Sequence, residues 1–72
     1  MNINNEYKYF VYCMDAGLVV AGYEYKDDAI DCMAELNDEC FYPQFRVYTA
    51  KHLMSINCNP YRTNNWTNPK FN

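Results

Sequence analysis

Apolar and polar positions change period three times along this chain. Tyr7-Lys8-Tyr9-Phe10-Val11-Tyr12-Cys13 is aromatic and β-branched without a breaker, which predicts a first strand. Met14-Asp15-Ala16-Gly17 follows, and an Asp and a Gly at short spacing suit a tight hairpin connection, because Gly reaches φ > 0. Leu18 to Tyr25 reads as the second strand. Gly22 within it points to a bulge or to close approach of another backbone. From Asp27 the period lengthens: Ala29, Ile30, Met33, Ala34 and Leu36 recur at three- and four-residue spacing and predict an amphipathic helix. Asp27 or Asp28 is expected to cap it, and it is expected to end near Asn37 or Asp38.

Cys40-Phe41-Tyr42-Pro43 reads as a loop, since Pro43 disfavours helix at the residue before it. Gln44 to Thr49 alternates again and predicts a third strand. Thr49 is a suitable N-cap for a short helix from Ala50 to Ile56, with Leu53 and Ile56 facing the sheet. From Asn57 the composition shifts to Asn and Pro, with Tyr61, Trp66 and Phe71 widely spaced.

The expected fold is α+β. A β-hairpin, a helix, a strand and a short helix form a ββαβα domain over residues 1–56. The main helix covers one face of a small three-stranded sheet, antiparallel or mixed. Residues 57–72 form an irregular tail that either packs on the sheet or leaves it open. Alternation assigns Tyr9, Val11, Cys13, Val20, Ile30, Met33, Leu36, Phe45, Val47 and Leu53 to the core. It assigns Phe10, Tyr12, Tyr23 (or Tyr25), Arg46 and Tyr48 to the opposite face.

That second face carries the functional question. The chain has 8 tyrosines in 72 residues, and one helix can cover only one side of the sheet. Three covers compete for the outer aromatics. A protein interface, including self-association as a homodimer, would use Phe10, Tyr12, Tyr23, Tyr25, Arg46 and Tyr48, since Tyr and Arg are favoured anchor types. Single-stranded nucleic acid or a nucleotide would stack on the same rings, with Lys8 and Arg46 attracting phosphate. The chain's own Tyr61, Trp66 and Phe71 would fold back over them.

Charge adds a second candidate surface. Net charge is -3, yet Glu24, Asp27, Asp28, Asp31, Glu35, Asp38 and Glu39 face Lys26 alone within one segment. The helix face bearing Asp27, Asp28, Asp31 and Glu35 is either a solvated surface or a docking face for a basic partner. The acidic balance and the lack of a dense basic patch weigh against nucleic acid.

Catalytic and metal chemistry find little footing. Cys13, Cys32, Cys40 and Cys58 include no pair with the spacing of a zinc knuckle, and no catalytic signature surrounds His52, the single histidine. Asp27, Asp28 and Asp31 lack the glycine and ligand spacing of a calcium loop. No enzyme activity, cofactor or metal is therefore expected. The first residues show no basic start followed by a long apolar run, so no secretory signal is read. No stretch reaches the ~18 apolar residues of a membrane span. A cytoplasmic setting with reduced thiols follows as the expectation.

In the order of its elements the chain resembles small uncharacterised proteins encoded by bacteriophages. Tyr9-Phe10-Val11-Tyr12, Gly22-Tyr23-Glu24-Tyr25-Lys26-Asp27-Asp28-Ala29 and Val47-Tyr48-Thr49-Ala50-Lys51-His52-Leu53 carry the resemblance. It implies a compact accessory protein in the host cytoplasm that acts by binding and blocking a host protein. It transfers no site residue.

Overall fold

The computed structural model describes residues 6–66. Strand β1 (Tyr9–Cys13) is followed by β2 (Leu18–Tyr23), helix α1 (Lys26–Asp38), β3 (Phe45–Thr49), helix α2 (Ala50–Ser55) and a single 3-10 turn, Thr63–Asn65. The three strands form an antiparallel sheet in the order β2-β1-β3. The expected α+β fold is the observed one. β1 takes the centre because it is apolar on both faces, and Phe10 and Val11 are both fully buried.

The hairpin closes as its sequence predicts. Gly17 adopts φ 71°, and its N–H donates to the Cys13 carbonyl. The bulge, however, lies at Val20 rather than at Gly22. Val11 pairs with Ala21 and Tyr12 with Val19, leaving Val20 as the extra residue. Val20 and Ala21 therefore both face α1, and alternation beyond them is inverted. This overturns the expected side of Tyr23, which packs under α1 instead of on the opposite face. Gly22 marks a close approach of rings, not of backbone. A Cβ there would lie 2.5 Å from Tyr7 Cδ2 and 3.1 Å from Trp66 Cη2.

Helix α1 begins two residues earlier than a cap at Asp27 would place it. Its N-cap is Tyr25, which makes no side-chain cap, so Asp27 and Asp28 act only as first-turn charges favoured by the helix dipole. Ala29 is the fully buried contact of α1, with Cys32, Met33 and Leu36 beside it. Ile30, expected in the core, is 38% exposed on the flank of the helix. At the far end Asn37 clips β3 into place. Its Oδ1 accepts from the Gln44 and Phe45 N–H groups at 3.1 and 2.9 Å, and its Nδ2 donates to the Phe45 carbonyl at 3.2 Å. Thr49 caps α2 as expected, its Oγ1 accepting from the His52 N–H at 3.3 Å.

The segment after Ile56 belongs to the packed unit. Cys58, Pro60 and Trp66 are buried, and Cys58 and Trp66 form a second core with Phe10, Val19 and Leu53 on the sheet face away from α1. The asparagines have local work there. Asn57 takes the left-handed conformation (φ 62°) that turns the chain out of α2. Asn59 Oδ1 accepts from the Tyr61 N–H at 2.9 Å, and Asn65 Nδ2 donates to the Asn59 carbonyl at 2.8 Å. Trp66 Nε1–H donates to the Pro60 carbonyl at 2.8 Å, and its backbone bridges Val19 in parallel at the outer edge of β2. The place of Phe71, expected to join this cover, lies outside the described residues.

Candidate interaction surfaces

The six aromatic and basic residues assigned to one interface do not form one surface. Phe10 is fully buried beneath the returning chain, with the rings of Tyr61 and Trp66 edge-on to it at 5.8 and 6.3 Å. Base stacking on Phe10 is thereby sterically closed. Tyr23 lies on the other side of the sheet. Tyr25 follows the end of β2 and is 66% exposed. What stays open is a narrow rim. Tyr12 and Tyr48 are half-buried with ring centroids 5.5 Å apart, His52 stacks on Tyr48 at 4.2 Å, and Arg46 is exposed beside them. The Tyr61 hydroxyl is turned inward and donates to the Tyr7 carbonyl at 2.9 Å.

The acidic residues, by contrast, are gathered. Asp27, Asp28, Asp31 and Glu35 are all exposed, and helical spacing puts them on one side of α1 with Asp38. The first two suit the positive end of the helix dipole. Asp38 and Glu39 sit at its negative end, and the last turn holds no basic residue. The helix thus carries carboxylates where its own electrostatics disfavour them. Just beyond come Phe41, fully exposed, and Tyr42, 56% exposed. From the sequence these two read only as loop. The available signal was a pair of large aromatics in a stretch with no periodic partner.

Asp28 and Glu35 also act on Tyr23. Burial raises the Tyr23 phenol to about 12, helped by its hydrogen bond to Cys32 and by the negative potential of Cys32, Asp28 and Glu35. Below pH 10 the phenol is neutral in both folded and unfolded chains, and its contribution is intact. Between about 10 and 12 the unfolded chain ionises first, so stability falls as pH rises. Tyrosinate absorbance at 295 nm should show one phenol titrating near 12 that is missing from Tyr23→Phe. Identical titrations of the two proteins would refute the assignment.

All four cysteines are free, and burial pushes the Cys58 thiol up, away from the nucleophilic thiolate. Among the described residues no three His, Cys, Asp or Glu side chains are placed to hold a metal ion, and no helix is long and apolar enough to cross a membrane. An open depression of about 430 Å³ is lined by Met54, Asn57, Asn59, Arg62, Asn64 and Asn65. Asn59 and Asn65 there are already engaged in holding the returning chain.

No family model matches the chain, and neither the curated proteins nor the solved structures contain a significant match.

Proposed function

We propose that this chain is a non-enzymatic protein-binding module that docks a basic protein surface onto the acidic face of α1. Asp27, Asp28, Asp31 and Glu35 supply the field. Phe41 and Tyr42, at the C-terminal end of the same helix, supply apolar contact area. The observation that carries this reading is the placement of Asp38 and Glu39 at the negative end of the helix dipole without a basic residue in the last turn. Local departures from a fold's own electrostatic preferences concentrate at functional sites. A cationic partner would relieve this one. The compact accessory proteins of bacteriophages, which bind and block host proteins in the cytoplasm, are the class this reading favours.

The test is capture from a bacterial lysate, followed by affinity measurement with the captured protein. Asp31→Lys with Glu35→Lys should leave circular dichroism unchanged, because both positions are exposed and Lys is a good helix former. It should weaken binding by roughly tenfold or more, mainly through slower association, and added salt should weaken the wild-type complex. A partner indifferent to the charge reversal, or no partner at all, rejects the reading.

A further inference from the structure

The fold brings together two cysteines that stand far apart in sequence. Cys13 ends β1, and Cys40 lies just past α1, in the connection to β3. Gln44 sits between them. Its backbone is fixed from two sides: the N–H donates to Asn37 Oδ1 at 3.1 Å, and the carbonyl accepts from the Met14 N–H at 2.8 Å. Its side chain then spans the two sulfurs. The Cys13 thiol faces Gln44 Oε1 at 3.9 Å, and Gln44 Nε2 donates to Cys40 Sγ at 3.1 Å. Oε1 and Nε2 share one carbon, so along this path a single carboxamide separates the thiols.

Both sulfurs also have backbone partners. The Ala16 N–H donates to Cys13 Sγ at 3.4 Å, and the Cys40 thiol donates to the Leu36 carbonyl at 3.3 Å. Each sulfur thus accepts one N–H, a contact that strengthens when the sulfur becomes a thiolate. They differ in access. Cys13 is 8% exposed, whereas Cys40 is only half-buried.

The other two thiols are placed apart from this pair. Cys32 bonds to Tyr23, and Tyr23 pairs with Tyr9, at the opposite end of β1 from Cys13. Four residues of strand separate those ends by about 13 Å. Cys58 is buried in the core on the other face of the sheet.

We propose that Cys13 and Cys40 are a reactive dithiol that closes to an intramolecular disulfide by exchange with a low-molecular-weight disulfide. Cys40, the accessible thiol, reacts first. Its thiolate attacks one sulfur of the reagent, the reagent's S–S bond breaks, and the thiolate released takes up the proton that Cys40 gave up. The Cys13 thiolate then attacks the Cys40 sulfur of this mixed disulfide. The second reagent thiolate leaves and takes up the Cys13 proton. The chain has lost two hydrogen atoms, and the reagent has been reduced to two thiols.

Closure requires the Gln44 carboxamide to leave the gap and the two Cβ atoms to come within roughly 3.5–4.5 Å. Both moves are local. Among the described residues the carboxamide bonds only to these two sulfurs. Cys40 belongs to neither helix nor strand, so it can shift without breaking the sheet. Exposed Asp38 and Glu39 precede it and favour a cationic reagent. The reaction needs no binding partner, so its failure and the failure of the docking proposal are separate results.

The test uses the whole reduced chain, dilute, with cystamine, a disulfide carrying two amines. After an acid quench the products are mapped by peptide mass spectrometry. The expected product is a monomer lighter by two hydrogen atoms, with Cys13 joined to Cys40. That linkage should exceed any other pairing roughly tenfold, because the other cysteines must leave their packing to meet the geometry of a disulfide. In urea the preference should shift to Cys32–Cys40, which closes the shortest loop. Cys13→Ala should stop at the cystamine adduct on Cys40. For the wild type, an unreacted chain, an adduct that stays on Cys40, a disulfide through Cys32 or Cys58, a bond between chains, or the same mixture with and without urea overturns the proposal. The wild-type map decides it even if Cys13→Ala fails to fold.

Discussion

A chain ending at Ile56 will not fold. Among the described residues it retains every regular element but the 3-10 turn, and by periodicity alone it is a complete ββαβα domain. Yet it lacks Cys58 and Trp66, two of the residues that seal Phe10, Val19 and Leu53 from water. Trp66→Ala in the full chain should cost about 3–5 kcal/mol, the usual range for truncating a buried large aromatic. A single core of this size supplies a net stability of about the same amount. Deleting the whole segment removes that contribution together with the Tyr61 contact to Phe10 and the bond from the Tyr61 hydroxyl to Tyr7. The expected result is loss of cooperative thermal unfolding and of amide dispersion for residues 1–56, with Trp66→Ala close to the midpoint of unfolding at 25 °C. A sharp, reversible melt of the truncated chain would show that α1 alone stabilises the sheet.

Periodicity ends the domain at Ile56 and leaves the packing of the tail as one of three alternatives, for a physical reason. Strands and helices announce themselves because a repeating backbone sends side chains to one face at a fixed period. The returning chain repeats nothing. It is held by single anchors, Cys58, Pro60, Tyr61 and Trp66, and by asparagines whose amides bond within a few residues. Asn and Pro abundance reads as irregularity, and the segment is irregular, but irregular is not the same as loose. The hairpin, α1, β3 and the Thr49 cap were legible because each depends on neighbours in sequence.

Tyr23 was misplaced for a related reason. One extra residue at Val20 moves every later side chain of β2 to the other face, and nothing in Leu18-Val19-Val20-Ala21 marks which residue is the extra one. Ile30 was drawn into the core by its spacing, although α1 spends its inward stripe on Ala29, Cys32, Met33 and Leu36. Charge fared better. The acidic face could be drawn from the sequence because exposed carboxylates follow the helix period and need no tertiary partner. The nearness of Cys13 to Cys40 could not, because it depends on Gln44, which Asn37 holds from another element.

Phe10→Ala should be as damaging as the loss of Trp66, and it separates the two meanings of the tyrosine-rich face. Phe10 is fully buried at the centre of the sheet, with Tyr7, Tyr61 and Trp66 all edge-on at 6.4, 5.8 and 6.3 Å. Removing its ring opens a cavity shared by three elements, at a cost of about 3–5 kcal/mol. The edge-to-face contacts add to this because each neighbour loses a partner. Tyr12→Ala, one residue pair away on the same face, removes a half-exposed ring and should cost about 1–2 kcal/mol. Urea unfolding of both variants gives the comparison directly. A cover made by the chain itself predicts a steep difference, Phe10 far above Tyr12, with Phe10→Leu recovering part of the loss by refilling the cavity. A face kept open for a ligand predicts two small and similar values, since neither ring would then be holding the fold together.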